Sequence, residues 1–356
     1  MRSAILKPNA VIIGLGSYFS KLRKGIEEHF NVLQLVDCQL IEKLKLALDD
    51  RAKFHRVSED LYGLPIDDST DCIMLLTPPA FHVPHLELLT RFEKPILVEK
   101  PLTTSSTEIP QIQRIMDKFS KLYCSDFYPD VRAVPLISWF HPERLLPLKS
   151  KLSVIEGDKE LWQGGLSLLG KIEKVEGKLL EGSGPARSFE GRDWLWDPLQ
   201  GGVLRDLMYH YFTLSSFLFD KDLIPESVIL KTLAEDGQTV PWNSSFGKAE
   251  TYALVEGRFT NNVPFSFEVA KYWGTENERW FSIYFTSGFA TMLFKNPNIL
   301  LLESKNTKCS AYLEGDYYEH VSLCFSEYIK SPESQPHGLT HAVRAIESID
   351  RVKKMI

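Results

Sequence analysis

The sequence predicts two unlike halves: an α/β domain on a doubly wound parallel sheet, then an α+β domain on a mostly antiparallel sheet. Three observations predict this. Over the first 125 residues, short apolar runs alternate with segments of helical spacing; from about residue 170, strand-length runs with alternating polarity follow one another; and the first apolar run ends in glycines.

In chain order, "AVIIGLG" reads as the first strand and its turn, "KLRKGIEEHF" as a helix, "VLQLVDC" as a second buried strand, and "DCIMLLT" and "PILVEK" as two more. Residues 126–169 carry Pro129, Pro135, Pro142 and Pro147, which interrupt any long element, so they are expected to be connecting helices and an excursion between the domains. The strands of the second half are "KIEKVEGKLLEG", "ESVILKTL", "AETYALVEGRF", "VPFSFEVAKYW", "RWFSIYFTS" and "FATMLF", with one helix-like interruption, "GGVLRDLMYHYFTLSSFLF". A proline- and serine-rich loop precedes the last amphipathic segment, "GLTHAVRAIESIDRVKKM". The expected division is 1–125 for a dinucleotide-binding domain, 126–336 for a substrate-binding and oligomerisation domain, and 337–356 for a C-terminal helix packing back on the first domain.

Composition narrows the function classes. With 356 residues, 44% hydrophobic and 25% charged, the chain has ordinary globular composition and enough length for two cores. A net charge of -6 argues against a general nucleic-acid binder, which needs a basic face to neutralise phosphates. The five cysteines are scattered without CxxC spacing, so neither a disulfide framework nor a metal site is expected. No apolar run reaches the length of a membrane span and the N-terminal residues lack a leader pattern, so a cytoplasmic protein without a membrane partner is expected.

Gly14 and Gly16 close the first strand, and Asp37 closes the second, 21 positions after Gly16 (37 − 16). Small residues there let backbone approach a pyrophosphate at a helix N-terminus, and an acid after the next strand can bind an adenosine ribose, so the pattern is Rossmann-like. The third position of the glycine motif is Phe19, whose ring the helix–sheet packing must accommodate. A mere strand-turn-helix would share part of this pattern.

Lys100, at the C-terminal end of "ILVEK", stands where open α/β sheets bind ligands. Asp206 and His210 in "GGVLRDLMYH" are four apart and share a helical face, where a carboxylate can orient an imidazole. Taken singly, a lysine at a strand end is usually a solvated cap, and an Asp/His pair is usually a surface hydrogen bond. Together, an amine, an imidazole and a carboxylate suit proton removal from an alcohol while hydride leaves its carbon.

Over nearly its whole length the chain resembles the glucose-fructose oxidoreductase / inositol dehydrogenase / rhizopine-catabolism (Gfo/Idh/MocA) family. The resemblance rests on "VIIGLG", "LLTPPAFHVPHLELLTRFEKPILVEKPLTT", "LGKIEKVEGKLLEG" and "DPLQGGVLRDLMYHYFTL". It implies that Glu99, Lys100 and Pro101 form the family's EKP motif, that Lys100, Asp206 and His210 are the catalytic group, and that Gly14, Gly16, Ser17, Tyr18, Asp37, Thr77, Pro78, His82, Glu99 and Lys100 line the cofactor. The sequence departs from the family at Phe19 and at Pro79, where "TPP" stands for the more common "TPN", and residues 140–169 exceed the usual connection. By the same resemblance, "SFEGRDWLWDPLQGG" lies near the substrate, which makes Arg192, Trp194, Trp196 and Asp197 binding candidates, although tryptophans are more often core; Lys271 is a further candidate.

The implied activity is hydride transfer between NAD, preferred over NADP because Asp37 would repel a 2′-phosphate, and a hydroxyl or ketone carbon of a sugar, cyclitol or nucleotide sugar. Two alternatives are an NAD-dependent glycosidase-type reaction using transient oxidation and a non-catalytic nucleotide-sensing regulator. A homodimer or homotetramer is expected, joined through the second-domain sheet, with Phe281 and Phe285 on its outward face.

Overall fold

The computed structural model describes residues 7–38, 53–56, 61, 63–144, 146–157, 159–182, 193–233, 239–243, 247–271, 277–305, 307–331 and 339–356. These fall into two compact units. One comprises Met1–Thr103, Thr107–Asp126 and Asp316–Leu339; the other comprises Thr104–Ser106, Phe127–Gly315 and Thr340–Ile356.

The first unit contains β1 (Asn9–Ile13), α1 (Ser17–His29), β2 (Asn31–Asp37), β3 (Lys53–Arg56), β4 (Cys72–Leu75), α2 (His82–Leu89), β5 (Ile96–Glu99), α3 (Ile109–Lys118) and β6 (Leu122–Ser125). Its strands form a six-stranded sheet in the order β3-β2-β1-β4-β5-β6, and every pairing is parallel. The order reverses at β1, which is the topological switch point of a doubly wound sheet. Residues Ala10–Ile13, Cys72–Leu75 and Ile96–Val98 are each buried without alternation, as strands covered on both faces require.

This unit also takes a helix from far along the chain, Tyr317–Lys330 (α8), capped by Asp316, whose carboxylate accepts from the Tyr318 and Glu319 N–H groups. Gly25 explains its close approach to α1: a Cβ there would lie 2.6 Å from Glu319 Cα. The seam continues in stacked rings, with Phe325 at 5.9 Å from Phe30 and 5.8 Å from Tyr123.

The second unit contains α4 (Val134–Phe140), β7 (Leu152–Gly157), α5 (Lys159–Gly164), α6 (Leu166–Leu169), β8 (Ile172–Glu181), α7 (Tyr209–Phe219), β9 (Leu223–Leu233), β10 (Thr239–Pro241), β11 (Tyr252–Phe259), β12 (Pro264–Lys271), β13 (Glu278–Phe285), β14 (Gly288–Leu293), β15 (Asn298–Ser304), β16 (Lys308–Leu313) and α9 (Leu339–Lys353). Its ten-stranded sheet runs β10-β9-β11-β12-β8-β13-β14-β15-β16-β7. Among the described strands β8 and β12 are its parallel pair, and the rest pair antiparallel.

Side chains alternate across this sheet. Val175, Gly177 and Leu179 on β8, Phe265, Phe267 and Val269 on β12, and Phe281, Ile283 and Phe285 on β13 are buried in the inner rows. The α7 helix packs there: the Tyr211 ring lies 5.5 Å from Phe267 and 5.7 Å from Phe281, and Phe212 lies 6.3 Å from Phe265. Gly177 makes room for it, because a Cβ there would come within 2.9 Å of the Tyr211 ring. Each such buried phenylalanine contributes about 1.5–3 kcal/mol through removal of its surface from water.

Three expectations change. The C-terminal helix α9 groups with the second unit, while the helix before it, α8, joins the first; α9 is tied by Arg344 to Asp220 at 2.7 Å and by Arg351 to the Leu223 carbonyl at 3.1 Å. Residues 126–169 are more than a connection, because β7 extends the sheet beside β16 and α4 packs against β14, β15 and β16. Phe281 and Phe285 face inward at 0% and 4% exposure, and the outward row of β13 is Trp280, Ser282 and Tyr284. Both rows of "RWFSIYF" contain aromatics, so alternation alone fits either face.

Candidate active site

The candidate site of the first unit is built mainly from backbone. Gly14 has φ +91°, and a Cβ there would sit 2.7 Å from the Thr77 nitrogen and 2.8 Å from the Leu76 carbonyl carbon, so only glycine fits between the β1 and β4 ends. Its N–H donates to the Val36 carbonyl at 2.9 Å, and the next N–H, of Leu15, donates to Asp37 Oδ2 at 2.7 Å. Asp37 thus steadies the turn it was expected to complement.

Gly16 is the N-cap of α1, with no side-chain cap and nothing within 4 Å of where a Cβ would stand. No side chain caps the first N–H groups of α1, and Gly16 and Ser17 beside them are exposed, which fits an anionic phosphate at a helix N-terminus. Phe19, the departure from the third glycine, is 1% exposed and points into the core beneath α1. Tyr18 turns its hydroxyl toward Glu99 and Ser125; burial, then the Glu99 charge, pushes its pKa well above the ordinary tyrosine range.

His82 was expected among the cofactor-lining residues. It is fully buried at the start of α2, with Nδ1 3.0 Å from the Pro101 carbonyl oxygen and Nε2 2.8 Å from that of Thr77. It staples the loop after β4 to the loop after β5, and burial pushes its pKa down to about 4. Thr77 and Pro78 lie on the first of these loops, with Thr77 Oγ1 3.5 Å from His85 Nδ1 and Pro79 buried behind them. Lys100, half-buried, follows directly on β5, and its N–H donates to the Ser125 carbonyl at 3.2 Å.

The candidate site of the second unit is built from buried charge. The segment expected to approach the substrate forms a tight turn: Asp197 Oδ1 accepts from Leu199 N–H at 2.7 Å, and the Trp196 carbonyl accepts from Ala249 N–H at 2.9 Å. Arg192 lies outside the described residues, and Trp194 is described only through the backbone of the 3-10 turn Asp193–Trp196. Gly202, at φ +87°, then lets the chain enter the helix, because a Cβ would meet the Glu250 carboxylate. That carboxylate, 1% exposed, accepts from Leu204 N–H at 3.1 Å and caps the helix from a different part of the chain.

The helix opens with a π-turn, Leu204–Met208, before becoming α7, and a second π-turn spans Tyr128–Arg132. Such turns concentrate at functional sites. Asp206 lies in the first, and its carboxylate contacts the Lys271 ammonium at 2.7 Å; Lys271 also reaches Glu181 at 3.1 Å, and Arg279 reaches Glu181 at 3.3 Å. Asp206 and Lys271 are 5% and 3% exposed. Burial alone would raise the Glu181 carboxyl, but Lys271 and Arg279 outweigh it and hold it below the ordinary carboxylate range. His210, also buried, lies against the Tyr128 ring with centroids 4.5 Å apart, and Arg132 donates to the Tyr128 hydroxyl at 3.3 Å.

Sequence reasoning missed Glu181, Glu250, Tyr128, Arg132 and Arg279. A signal existed for two of them: the inner rows Val175, Gly177, Leu179 and Phe285, Ile283, Phe281 run on into Glu181 and Arg279, charges where the period demands apolar residues. Among the described residues, Glu28, His29 and Glu319 bring ligand atoms within 4.8 Å of one another, but Glu319 is already paired with Lys24 at 3.2 Å.

Two family models match this chain. An oxidoreductase family with an NAD-binding Rossmann fold matches residues 9–127, and the C-terminal domain of the same Gfo/Idh/MocA family matches residues 166–291. The chain belongs to the Gfo/Idh/MocA oxidoreductase family. Solved structures with the same fold include UDP-N-acetylglucosamine 3-dehydrogenase GnnA from Acidithiobacillus ferrooxidans, at 16% identity and TM-score 0.71 over 99% of this chain and 98% of that one. Another is the 3-ketoreductase KijD10 from Actinomadura kijaniata, in complex with NADP and TDP-benzene, at 14% identity and TM-score 0.70 over 98% of each chain. No curated protein matches the sequence. Family membership makes this an oxidoreductase with an NAD-binding Rossmann fold, and among the described residues no helix is long and apolar enough to cross a membrane.

Proposed function

We propose that the protein interconverts a secondary hydroxyl and a ketone on a sugar, cyclitol or nucleotide sugar, with NAD preferred over NADP. The observation that carries the cofactor reading is the turn at Gly14–Gly16, where a Cβ-intolerant glycine precedes an uncapped, open helix N-terminus. Nicotinamide, when bound, would supply the hydride chemistry.

The residues of this chain do the rest. The N–H groups at the start of α1 hold the pyrophosphate, and Asp37, at the end of β2, favours a free ribose hydroxyl over a 2′-phosphate. His210, buried against Tyr128, exchanges the hydroxyl proton, and Lys100 hydrogen-bonds the reacting oxygen and can share the proton transfer. A nucleotide sugar is favoured within the substrate class because the structural relatives named above are a UDP-N-acetylglucosamine dehydrogenase and a ketoreductase holding a TDP derivative. Trp196 and Asp197 serve this reading through the turn that leads into the catalytic helix.

The outward row Trp280, Tyr284 and Phe289 supports a homo-oligomer joined through the second-unit sheet, and the protein is proposed to work in the cytoplasm. The test is titration with NADH and NADPH, followed by a panel of sugars, cyclitols and nucleotide sugars monitored at the nicotinamide absorbance. Saturable NADH binding and turnover on a member of the panel are expected. Absence of dinucleotide binding overturns the reading.

A further inference from the structure

We propose that Lys271 is a positioning residue of the second unit, acting on the reaction through Asp206 rather than by touching substrate. This rests on the hydride-transfer reading above and deepens it.

The sheet itself supplies the argument. β8 and β12 are parallel, so their C-terminal residues, Glu181 and Lys271, are register partners at the same end of the sheet. Both continue the inner rows: Phe265, Phe267 and Val269 lead into Lys271, and Val175, Gly177 and Leu179 lead into Glu181. A lysine in such a row takes its ammonium under the helix, where burial is costly unless the charge is compensated. Compensation comes from two carboxylates, Asp206 at 2.7 Å and Glu181 at 3.1 Å, and Arg279 balances the second by contacting Glu181 at 3.3 Å. Two cations and two anions form a closed chain, Arg279–Glu181–Lys271–Asp206.

Lys271 is 3% exposed, and both of its carboxylate contacts lie within this chain, so its charge is committed to protein rather than to a ligand. Asp206 stands one turn before His210, across the junction between the π-turn and α7. The wider π-turn keeps residues four and five apart on one face, so whatever fixes the Asp206 carboxylate also fixes the surroundings of the imidazole. The Lys271 ammonium, at 2.7 Å, holds the Asp206 carboxylate in one rotamer. His210 is thereby presented in one orientation from turnover to turnover.

The experiment compares wild type, Lys271→Met, Lys271→Arg, Asp206→Asn and the Asp206→Asn/Lys271→Met double variant as full-length proteins. It reads kcat, KM and NADH affinity separately, with thermal melting as the control for folding. Lys271→Met is expected to lower kcat on the order of 10-fold or more, with KM and NADH affinity changed less than about 3-fold. Lys271→Arg should recover most of the loss, since the charge returns. In the Asp206→Asn background, Lys271→Met should lower kcat no further, because its effect passes through the missing carboxylate.

A raised KM with kcat unchanged in Lys271→Met would make Lys271 a substrate contact and overturn the proposal. Independent, multiplying losses in the double variant would overturn it as well. If Lys271→Met does not fold, Asp206→Asn still decides, since near-normal kcat there contradicts the proposed route. A wild type without hydride transfer removes the underlying reading instead, so the two failures are distinct.

Discussion

The two units carry candidate sites made from opposite materials. In the first, the chemistry is carried by backbone and by the room glycine leaves: Gly14 at φ +91°, the open N-terminus at Gly16, and strand ends held by His82 and Asp37. In the second, it is carried by side-chain charges under a helix, Asp206, Lys271, Glu181 and Arg279, with His210 on the same helix. A backbone site suits a pyrophosphate, which geometry alone can recognise. A charged side-chain site can instead be retuned one residue at a time.

That contrast can be broken most sharply at His210 and Lys100. Replacing either by alanine is expected to lower turnover by roughly two to four orders of magnitude while NADH affinity stays nearly intact, measured by steady-state kinetics beside a binding titration. Gly14→Ala should do the reverse. The new Cβ meets the Thr77 nitrogen at 2.7 Å, so a fall in stability of about 1–3 kcal/mol and weaker NADH binding are expected in chemical denaturation and titration.

His82 sharpens the comparison through pH. Its folded pKa, about 4, lies below the unfolded value near 6.5, so protonation favours the unfolded chain. Its contribution is intact above the unfolded value and is lost as pH falls toward about 4, a change of roughly 3 kcal/mol. Glu181 has the same direction in the second unit: held below 4.5 by Lys271, it keeps its contribution above that value and loses it as pH falls further. Denaturation followed from neutral to acid pH should therefore weaken the first unit before this pair is lost, and His82→Gln should flatten the first decline.

Smaller effects are expected at the edges. Tyr284→Lys, on the outward row, should shift light scattering toward the monomer, whereas Phe281→Lys, in the inner row, should impair folding instead. Asp37→Ala should narrow the preference for NADH over NADPH and, because Leu15 N–H loses its acceptor, weaken both dinucleotides slightly.

What the sequence disclosed follows the same division. The parallel sheet, the glycine turn, Asp37 and the Lys100 strand end were legible because each is written in contiguous residues, with glycine marking the special backbone. Strand alternation gave the second sheet but left its facing ambiguous at "RWFSIYF", where Trp280 and Tyr284 compete with Phe281 and Phe285. The helix α8 was unreadable as part of the first unit, since the feature that seats it, Gly25 against Glu319, joins positions almost a whole chain apart. The charge chain was hidden for a like reason: Glu181, Asp206, Lys271 and Arg279 come from separate elements, and only strand register brings them together. Of the four, Asp206 was expected as part of the catalytic group and Lys271 as a substrate contact.

The most direct measurement is NADH affinity and turnover of the His210→Ala protein, taken side by side with wild type on the best substrate of the panel. Unchanged NADH affinity with turnover lowered by roughly two orders of magnitude or more is the expected result, since the dinucleotide is held by backbone and the proton by an imidazole. Near-normal turnover, or NADH affinity falling in step with turnover, would contradict that division of labour.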